Sequence, residues 1–429
     1  MEVLATKFDA AVVGRNNRAV TLHGMVHALR DLGGVTFLTL RTREGLIQCV
    51  CPRRPEGVRE ECAVSVSGLL RPEPRAPGGA ELAEARCTVL SWPAAPPPVP
   101  LSKKSSVSLD TELSLRPVTL RAPRARAVFR IQAAVCRAFR EFLQGEGFTE
   151  IHTPKLGQAG AEGGSSQFRL DYFGRKAVLA QSPQLYKQAM VGVFERVYEI
   201  GPVFRAEKHA TQRHLNEYTS LDLEMGFLHS FTDLMALEQG FLRRLVALLR
   251  QEYAGELALL GAELPDAEHI PAVRFDEAKR LAAEAYGYAI REPYDLEPEE
   301  EQHIGRYAKE VWGSDFMFVT HYPGRKRPFY TMDDPEDPRY TLSFDLLFRG
   351  MEITTGGQRI HNYGQQVEKL KARGMEPEDF SGYLLFHKHG APPHGGLGIG
   401  LERLTMQLCG LDNIRRASLF PRDRTRLEP

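Results

Sequence analysis

Five of the nine positions from Trp92 to Pro100 are proline: Pro93, Pro96, Pro97, Pro98 and Pro100. Each ring fixes φ and removes a backbone donor, so neither a helix nor a central strand can run through the segment. It reads as an extended, semi-rigid connector. It divides the 429 residues into a first domain over 1–95, a proline-rich and basic hinge over 96–120 and a large domain over 121–429.

The first domain alternates β-branched stretches with turn signals. Strands are predicted at 19–29, 35–41, 45–50, 62–70 and 81–90, broken by Gly33-Gly34, Arg43-Glu44-Gly45 and the Pro/Gly-rich 71–79. Five strands in so short a span suit a small closed barrel, and the OB-fold is the five-stranded barrel that binds oligonucleotides. If Leu38 and Leu40 face the core, Phe37 points outward, where it can stack on an unpaired base; the reverse parity would make Phe37 the core residue.

Lys plus Arg total 55 and Asp plus Glu total 55, so the net charge is zero. The sign is segregated, however. Residues 1–130 carry 19 basic against 12 acidic side chains, leaving 36 against 43 for residues 131–429. The excess is densest over 101–130 (Lys103, Lys104, Arg116, Arg121, Arg124, Arg126 and Arg130). That stretch fits either a solvated basic face or a polyanionic partner. No apolar run approaches a membrane span and the first residues lack a signal-peptide layout, so a cytoplasmic protein without membrane contact is expected. Six cysteines without a CxxC pair read as reduced packing thiols.

After the connector the pattern becomes α/β, of the α+β kind. Helices are predicted over 128–143, 231–253, 276–286 and 298–312, with strands at 148–153, 197–204, 217–227, 315–321, 343–353 and 397–400. This is a mainly antiparallel sheet flanked by helices. Two segments carry chemistry. In the first, a strand ends in Phe204-Arg205-Ala206-Glu207, a polar loop follows, and a strand returns from Tyr218. An arginine held at a strand end suits bidentate phosphate recognition, although an Arg-x-Glu alone is commonly a surface ion pair. In the second, Gly395-Gly396-Leu397-Gly398-Ile399-Gly400 gives way to a helix at Leu401-Glu402-Arg403. Alternate glycines bare one face of the strand for a flat ligand or another backbone. Neither segment is a P-loop.

Together the helix and strand ending in Pro154, the Phe-Arg-x-Glu unit and the glycine strand ending in Glu402-Arg403 are similar, in order and spacing, to motifs 1, 2 and 3 of class II aminoacyl-tRNA synthetases. With the barrel, the chain resembles the subclass of aspartyl, asparaginyl and lysyl enzymes. The runs 181–188, 213–217 and 352–361 most resemble the compact archaeal-type aspartyl-tRNA synthetases.

The resemblance implies ATP and Mg²⁺ as cofactors and L-aspartate as substrate. Arg205 would hold the α-phosphate and the substrate carboxylate, and Arg403 the γ-phosphate. Glu207, Arg213, His214 and Leu215 would meet the adenine end, and Gly400, Leu401 and Glu402 would complete the ATP site. Glu352 and Thr355 would bind the metal; many relatives carry Ser at the latter position. Lys187 and Arg359 would form a cationic pair for the aspartate side chain, with Gln184 assisting and Glu162, in a glycine-rich loop, greeting the ammonium. On this reading an uncompensated cationic pair rejects asparagine.

In the barrel, Arg30, Phe37 and Gln48 match positions that read the anticodon, which favours the outward parity for Phe37. His27 and the loop around Pro77 are candidates for discriminating tRNA(Asp) from tRNA(Asn). Neither looks like the strictly discriminating form, so an enzyme charging both tRNAs, served by an amidotransferase acting on Asp-tRNA(Asn), is expected. A homodimer is implied through motif 1. The rival readings are an asparaginyl enzyme, a relative making free asparagine and a non-catalytic OB-fold RNA-binding protein.

Overall fold

The computed structural model describes residues 18–101, 107–158, 166–208 and 211–428. Glu162, Lys103, Lys104 and His209 lie outside the described residues.

The chain separates into two compact units. One is built on residues 1–131 with 252–262, the other on 132–251 and 263–427. In the first, strands β1 (Arg18–Asp31), β2 (Thr36–Arg41), β3 (Leu46–Cys51), β4 (Ala63–Pro72) and β5 (Ala80–Ser91) close a barrel in the order β1-β2-β3-β5-β4. Long β1 serves both sides of the closure: its C-terminal half pairs with β2, its N-terminal half with β4, and a bulge between Val26 and Ala28 turns it. Leu38 and Leu40 are fully buried among Val26, Ile47, Val64, Val66 and Leu82. Phe37 is only partly buried, so the outward parity holds. Cys49, Cys51 and Cys62 are free thiols inside this core. Burial pushes the Cys49 thiol well up and the Cys51 thiol to about 11, which keeps both protonated and inert. The segment 92–100 has no helix or strand, as its prolines require. Helices occupy Leu109–Ser114 and Arg116–Thr119 within the predicted hinge.

The second unit holds an eight-stranded sheet. Its strands are β6 (Thr149–Glu150), β10 (Arg196–Phe204), β11 (Glu217–Gly226), β12 (Ala272–Arg274), β13 (Phe316–Thr320), β14 (Ser343–Phe348), β15 (Met351–Gln358) and β16 (His394–Gly400), in the order β12-β13-β14-β15-β16-β11-β10-β6. Only the outermost pairs, β10 with β6 and β12 with β13, run parallel. Strands β7 (Leu156–Gln158), β8 (Arg169–Tyr172) and β9 (Arg175–Leu179) form a separate small sheet. Helices at 184–194, 232–252, 275–286, 298–312 and 401–408 flank the strands.

Two expectations are corrected. The predicted strand at 343–353 is a hairpin, because Arg349 (φ 48°) and Gly350 (φ 73°) turn the chain and β15 then runs on to Gln358. The predicted strand 148–153 shrinks to Thr149–Glu150, where a short parallel pairing with β10 is all the sheet edge offers.

Candidate active site

Strands β10, β11, β15 and β16 and the helix start at Leu401 surround a cavity of about 270 Å³. Of the residues named from the sequence, Gln184, Lys187, Arg205, Glu207, Arg213, His214, Leu215, Glu352, Thr355, Arg359, Gly400, Glu402 and Arg403 line it. Leu401 does not, being buried in the helix's inner face.

At one end Arg205 is open and Arg403 is only partly engaged. Arg205 follows the last residue of β10, its guanidinium stacked 5.5 Å over the Tyr218 ring and only 3.8 Å from the Glu207 carboxylate, with 46% of its side chain exposed. Asn216 ties this turn by donating to the carbonyls of Arg205 (2.7 Å) and Glu207 (3.0 Å). Arg403 donates to the Glu352 carbonyl at 2.8 Å, and its guanidinium lies 3.6 Å from the Glu352 carboxylate. The Thr355 hydroxyl donates to Glu352 Oε1 at 3.1 Å, so these two oxygens converge from positions three apart on β15. Burial pushes the Glu352 carboxyl up, but Arg403, Arg205, Arg327 and Arg213 outweigh it and hold the group ionised. An oxygen-only pair beside arginines aimed at open space suits a hard divalent cation carrying phosphate ligands.

Two further acids, unread in the sequence, complete this end. Arg213 Nη2 donates to both oxygens of Glu301, each at 2.7 Å, and Glu301 Oε2 also accepts from the Glu352 amide at 3.0 Å. Arg213 is therefore anchored by an acid through Nη2, while its Nε has no partner among the described residues. Asp345 sits opposite Thr355 across β14 and β15 and pairs with Arg327 at 2.8 Å. Burial and the neighbouring Glu352 charge push the carboxyls of both Glu301 and Asp345 upward.

At the other end the cations are already answered, which corrects the expectation of an uncompensated pair. Lys187, 2% exposed, donates to Asp222 Oδ1 (2.9 Å) and to the carbonyls of Leu397 (2.9 Å) and Leu223 (3.2 Å), and lies 3.4 Å from Glu224. Arg359 donates to Glu224 Oε1 (2.9 Å), to the Gly396 carbonyl (2.9 Å) and more weakly to Gln184 (3.4 Å). Two cations and two carboxylates form a neutral floor. Burial alone would raise the Glu224 carboxyl, yet Arg359 and Lys187 hold it below the usual range. Among the described residues two atoms of the floor still lack a partner: the Asp222 Oδ2 acceptor and the Gln184 Nε2 donor.

The glycine strand acts here, though not as a wholly bare face. A Cβ on Gly396 would sit 2.1 Å from Glu224 Oε2, so that glycine makes room for the buried carboxylate. A Cβ on Gly398 would meet Asp222 at 3.2 Å, and one on Gly400 only Arg403, at 3.7 Å or more.

Over residues 108–424 the sequence matches the family described as tRNA synthetases class II (D, K and N), and over 20–90 the OB-fold nucleic acid binding domain. The chain belongs to the class II tRNA synthetases. It is 50% identical to the aspartate–tRNA(Asp/Asn) ligase of Thermus thermophilus and 40% identical to the aspartate–tRNA(Asp) ligase of Pyrococcus abyssi, each covering 100% of both chains. The structure superposes on that of the asparaginyl-tRNA synthetase of Pyrococcus horikoshii complexed with asparaginyl-adenylate with a TM-score of 0.89, at 31% identity, covering 98% of this chain and 99% of the other.

In this synthetase Glu402 faces its own scaffold: both carboxylate oxygens accept from the Thr219 amide (3.1 and 3.0 Å), fastening the helix start to β11. His214 Nδ1 lies 2.5 Å from the Thr211 hydroxyl and its Nε2 3.8 Å from Glu207. Leu215 packs on Met406, Ile414 and Ala417 beneath the loop.

On the barrel, Arg30, Phe37 and Val50 are paired across β1, β2 and β3, and Gln48, two residues from Val50, shares their outer face. Gln48 donates to Glu81 at 3.3 Å. His27 is buried instead, with Nδ1 3.3 Å from Arg41, whose guanidinium grips Glu61 through two 2.8 Å bonds. Burial and the Arg41 charge push the His27 imidazole down to about 4. Pro77 lies half-buried in the loop between β4 and β5.

Proposed function

We propose that the chain is an aspartyl-tRNA synthetase that forms aspartyl-adenylate from L-aspartate and ATP and transfers the aspartyl group to the 3′ end of tRNA(Asp) and also of tRNA(Asn). The observation that carries the reading is one cavity with two unlike ends: Arg205, Arg403 and Glu352 around open space, and Lys187, Arg359 and Gln184 on a buried floor. The relatives named for aspartate and both tRNAs, at up to 50% identity, support the substrate assignment.

The α-carboxylate of aspartate attacks the α-phosphorus of ATP in line, releasing pyrophosphate; a hydroxyl of the terminal adenosine then takes the acyl group. No protein nucleophile is required, so the work is positioning and charge stabilisation. Arg205 holds the α-phosphate against the incoming carboxylate, and Arg403 steadies the far end of the polyphosphate. Glu352 and Thr355 would hold Mg²⁺, which when bound would neutralise polyphosphate charge. Lys187 and Arg359 turn towards the substrate side-chain carboxylate, while Glu162 and Gln184 serve its amino end. The adenine lies between Glu207 and the loop carrying Arg213, His214 and Leu215. Arg30, Phe37 and Gln48 meet the anticodon. The working form is a cytoplasmic homodimer, and an amidotransferase converts the Asp-tRNA(Asn) product.

Arg205→Ala tests the chemistry: aspartate-dependent pyrophosphate exchange is expected to fall at least about a thousandfold, and near-normal exchange would refute the assignment. Charging of purified tRNA(Asp) and tRNA(Asn) tests the selectivity, with comparable rates expected and a large preference for tRNA(Asp) refuting it.

A further inference from the structure

Between β8 and β9 the chain turns through Phe173 and Gly174, both at positive φ (51° and 77°). Such two-residue turns favour Asn-Gly or Asp-Gly, because a bulky residue at positive φ is strained. Here the strained position carries a phenylalanine, and the residue is 89% exposed. Tyr172, 43% exposed, meets it edge-on with ring centroids 4.9 Å apart.

Three basic residues surround the tip: Arg169, Arg175 and Lys176, all exposed. The one acid of the hairpin, Asp171, accepts from the Gly174 amide at 3.1 Å and stands opposite Lys176 in the strand register, leaving a net positive tip. Among the described residues no carboxylate forms an ion pair with any of the three cations. They also stand on the part of the chain with an acidic excess, 36 basic against 43 acidic over residues 131–429, so the basic tip is a local departure from its background.

We infer that the β8–β9 hairpin is a docking arm for the acceptor portion of tRNA, in which Phe173 and Tyr172 stack on a base or ribose and Arg169, Arg175 and Lys176 meet flanking phosphates. An exposed aromatic among unpaired cations is the chemistry of sequence-tolerant nucleic-acid binding. From the hairpin's base, β9 leads within two residues to Gln181, which lines the catalytic cavity, so the arm springs from beside the site the tRNA terminus must reach. The inference rests on the synthetase reading above, and pyrophosphate exchange, which involves no tRNA, tests that reading separately.

Phe173→Asn keeps a residue suited to positive φ, so the turn is retained. The variant is expected to raise the KM for tRNA in aspartylation roughly tenfold with pyrophosphate exchange unchanged. Replacing Arg169, Arg175 and Lys176 by Gln is expected to flatten the dependence of log tRNA affinity on log salt by about 2 to 3. A tRNA KM within twofold of the parent, or an unaltered salt slope, would overturn the inference. So would loss of the dimeric mass in light scattering of Phe173→Asn, which would assign the hairpin to a second copy of the chain.

Discussion

The two ends of the catalytic cavity hold the same kinds of charge in opposite states. At the open end Arg205 is half exposed and its nearest carboxylate stands 3.8 Å away; at the floor Lys187 and Arg359 are almost wholly buried and bonded to Asp222 and Glu224 at 2.9 Å. The difference follows from desolvation. A buried cation without a partner costs several kcal/mol, so the floor must carry its own counter-charges, whereas a solvated arginine can wait for phosphate. On the proposed function, a preference for aspartate at the floor would rest not on two unanswered positive charges but on donors shared between the substrate and the carboxylates already present.

This contrast can be broken most severely at the open end. Arg403→Ala is expected to lower pyrophosphate exchange by about a hundredfold or more with little loss of stability, because the guanidinium acts on transferred charge; a stability loss with full activity would make it a scaffold residue instead. At the floor the order should reverse. Glu224→Gln leaves Lys187 and Arg359 with one carboxylate between them and is expected to cost about 3 to 5 kcal/mol, read as a lower urea midpoint in the absence of substrates. An unchanged midpoint would show that the floor is not balanced by Glu224.

A smaller effect should appear with pH. Burial pushes Glu402 up to about 7 from an ordinary carboxyl value of 4.5. A folded-state value above the unfolded one favours the protonated form, so its stabilising contribution is complete below about pH 4.5 and lost as the pH rises towards 7. Glu402→Gln, which keeps an acceptor for the Thr219 amide, should flatten that loss, worth up to about 3 kcal/mol, in urea unfolding compared at pH 5 and 7.5. Smallest of all, Thr355→Ser keeps the hydroxyl that donates to Glu352 and is expected to leave exchange within about threefold; Thr355→Val, which removes it, should cost about tenfold or more.

Much of this site was legible because its open end is built from side chains at element ends. Arg205 closes a strand and Arg403 opens a helix, and local patterns with turn and glycine signals mark such places. The barrel was legible for the same reason, its five strands falling within a few residues of the predicted ones. The acids that balance the cations were not read. Asp222 and Glu224 alternate with buried Leu221, Leu223 and Met225 on β11, a pattern that an amphipathic strand with a solvent face would also produce. Asp345 interrupts the mostly apolar run Ser343–Phe348, where a buried acid needs a hydrogen-bond or ion-pair partner. That was the signal available for it.

By itself the sequence determined the irregular proline segment, the barrel, the sheet and the placing of Arg205 and Arg403 at element ends, because φ restriction, alternation and glycine spacing are local properties; the compact units divide at residue 131 rather than at the prolines. Only the tertiary structure decided which charges cancel. Lys187 is 35 residues from Asp222, and Arg359 is 135 residues from Glu224. Whether two ions so far apart in sequence share a buried floor is set by strand order, and so by the packing of the whole unit.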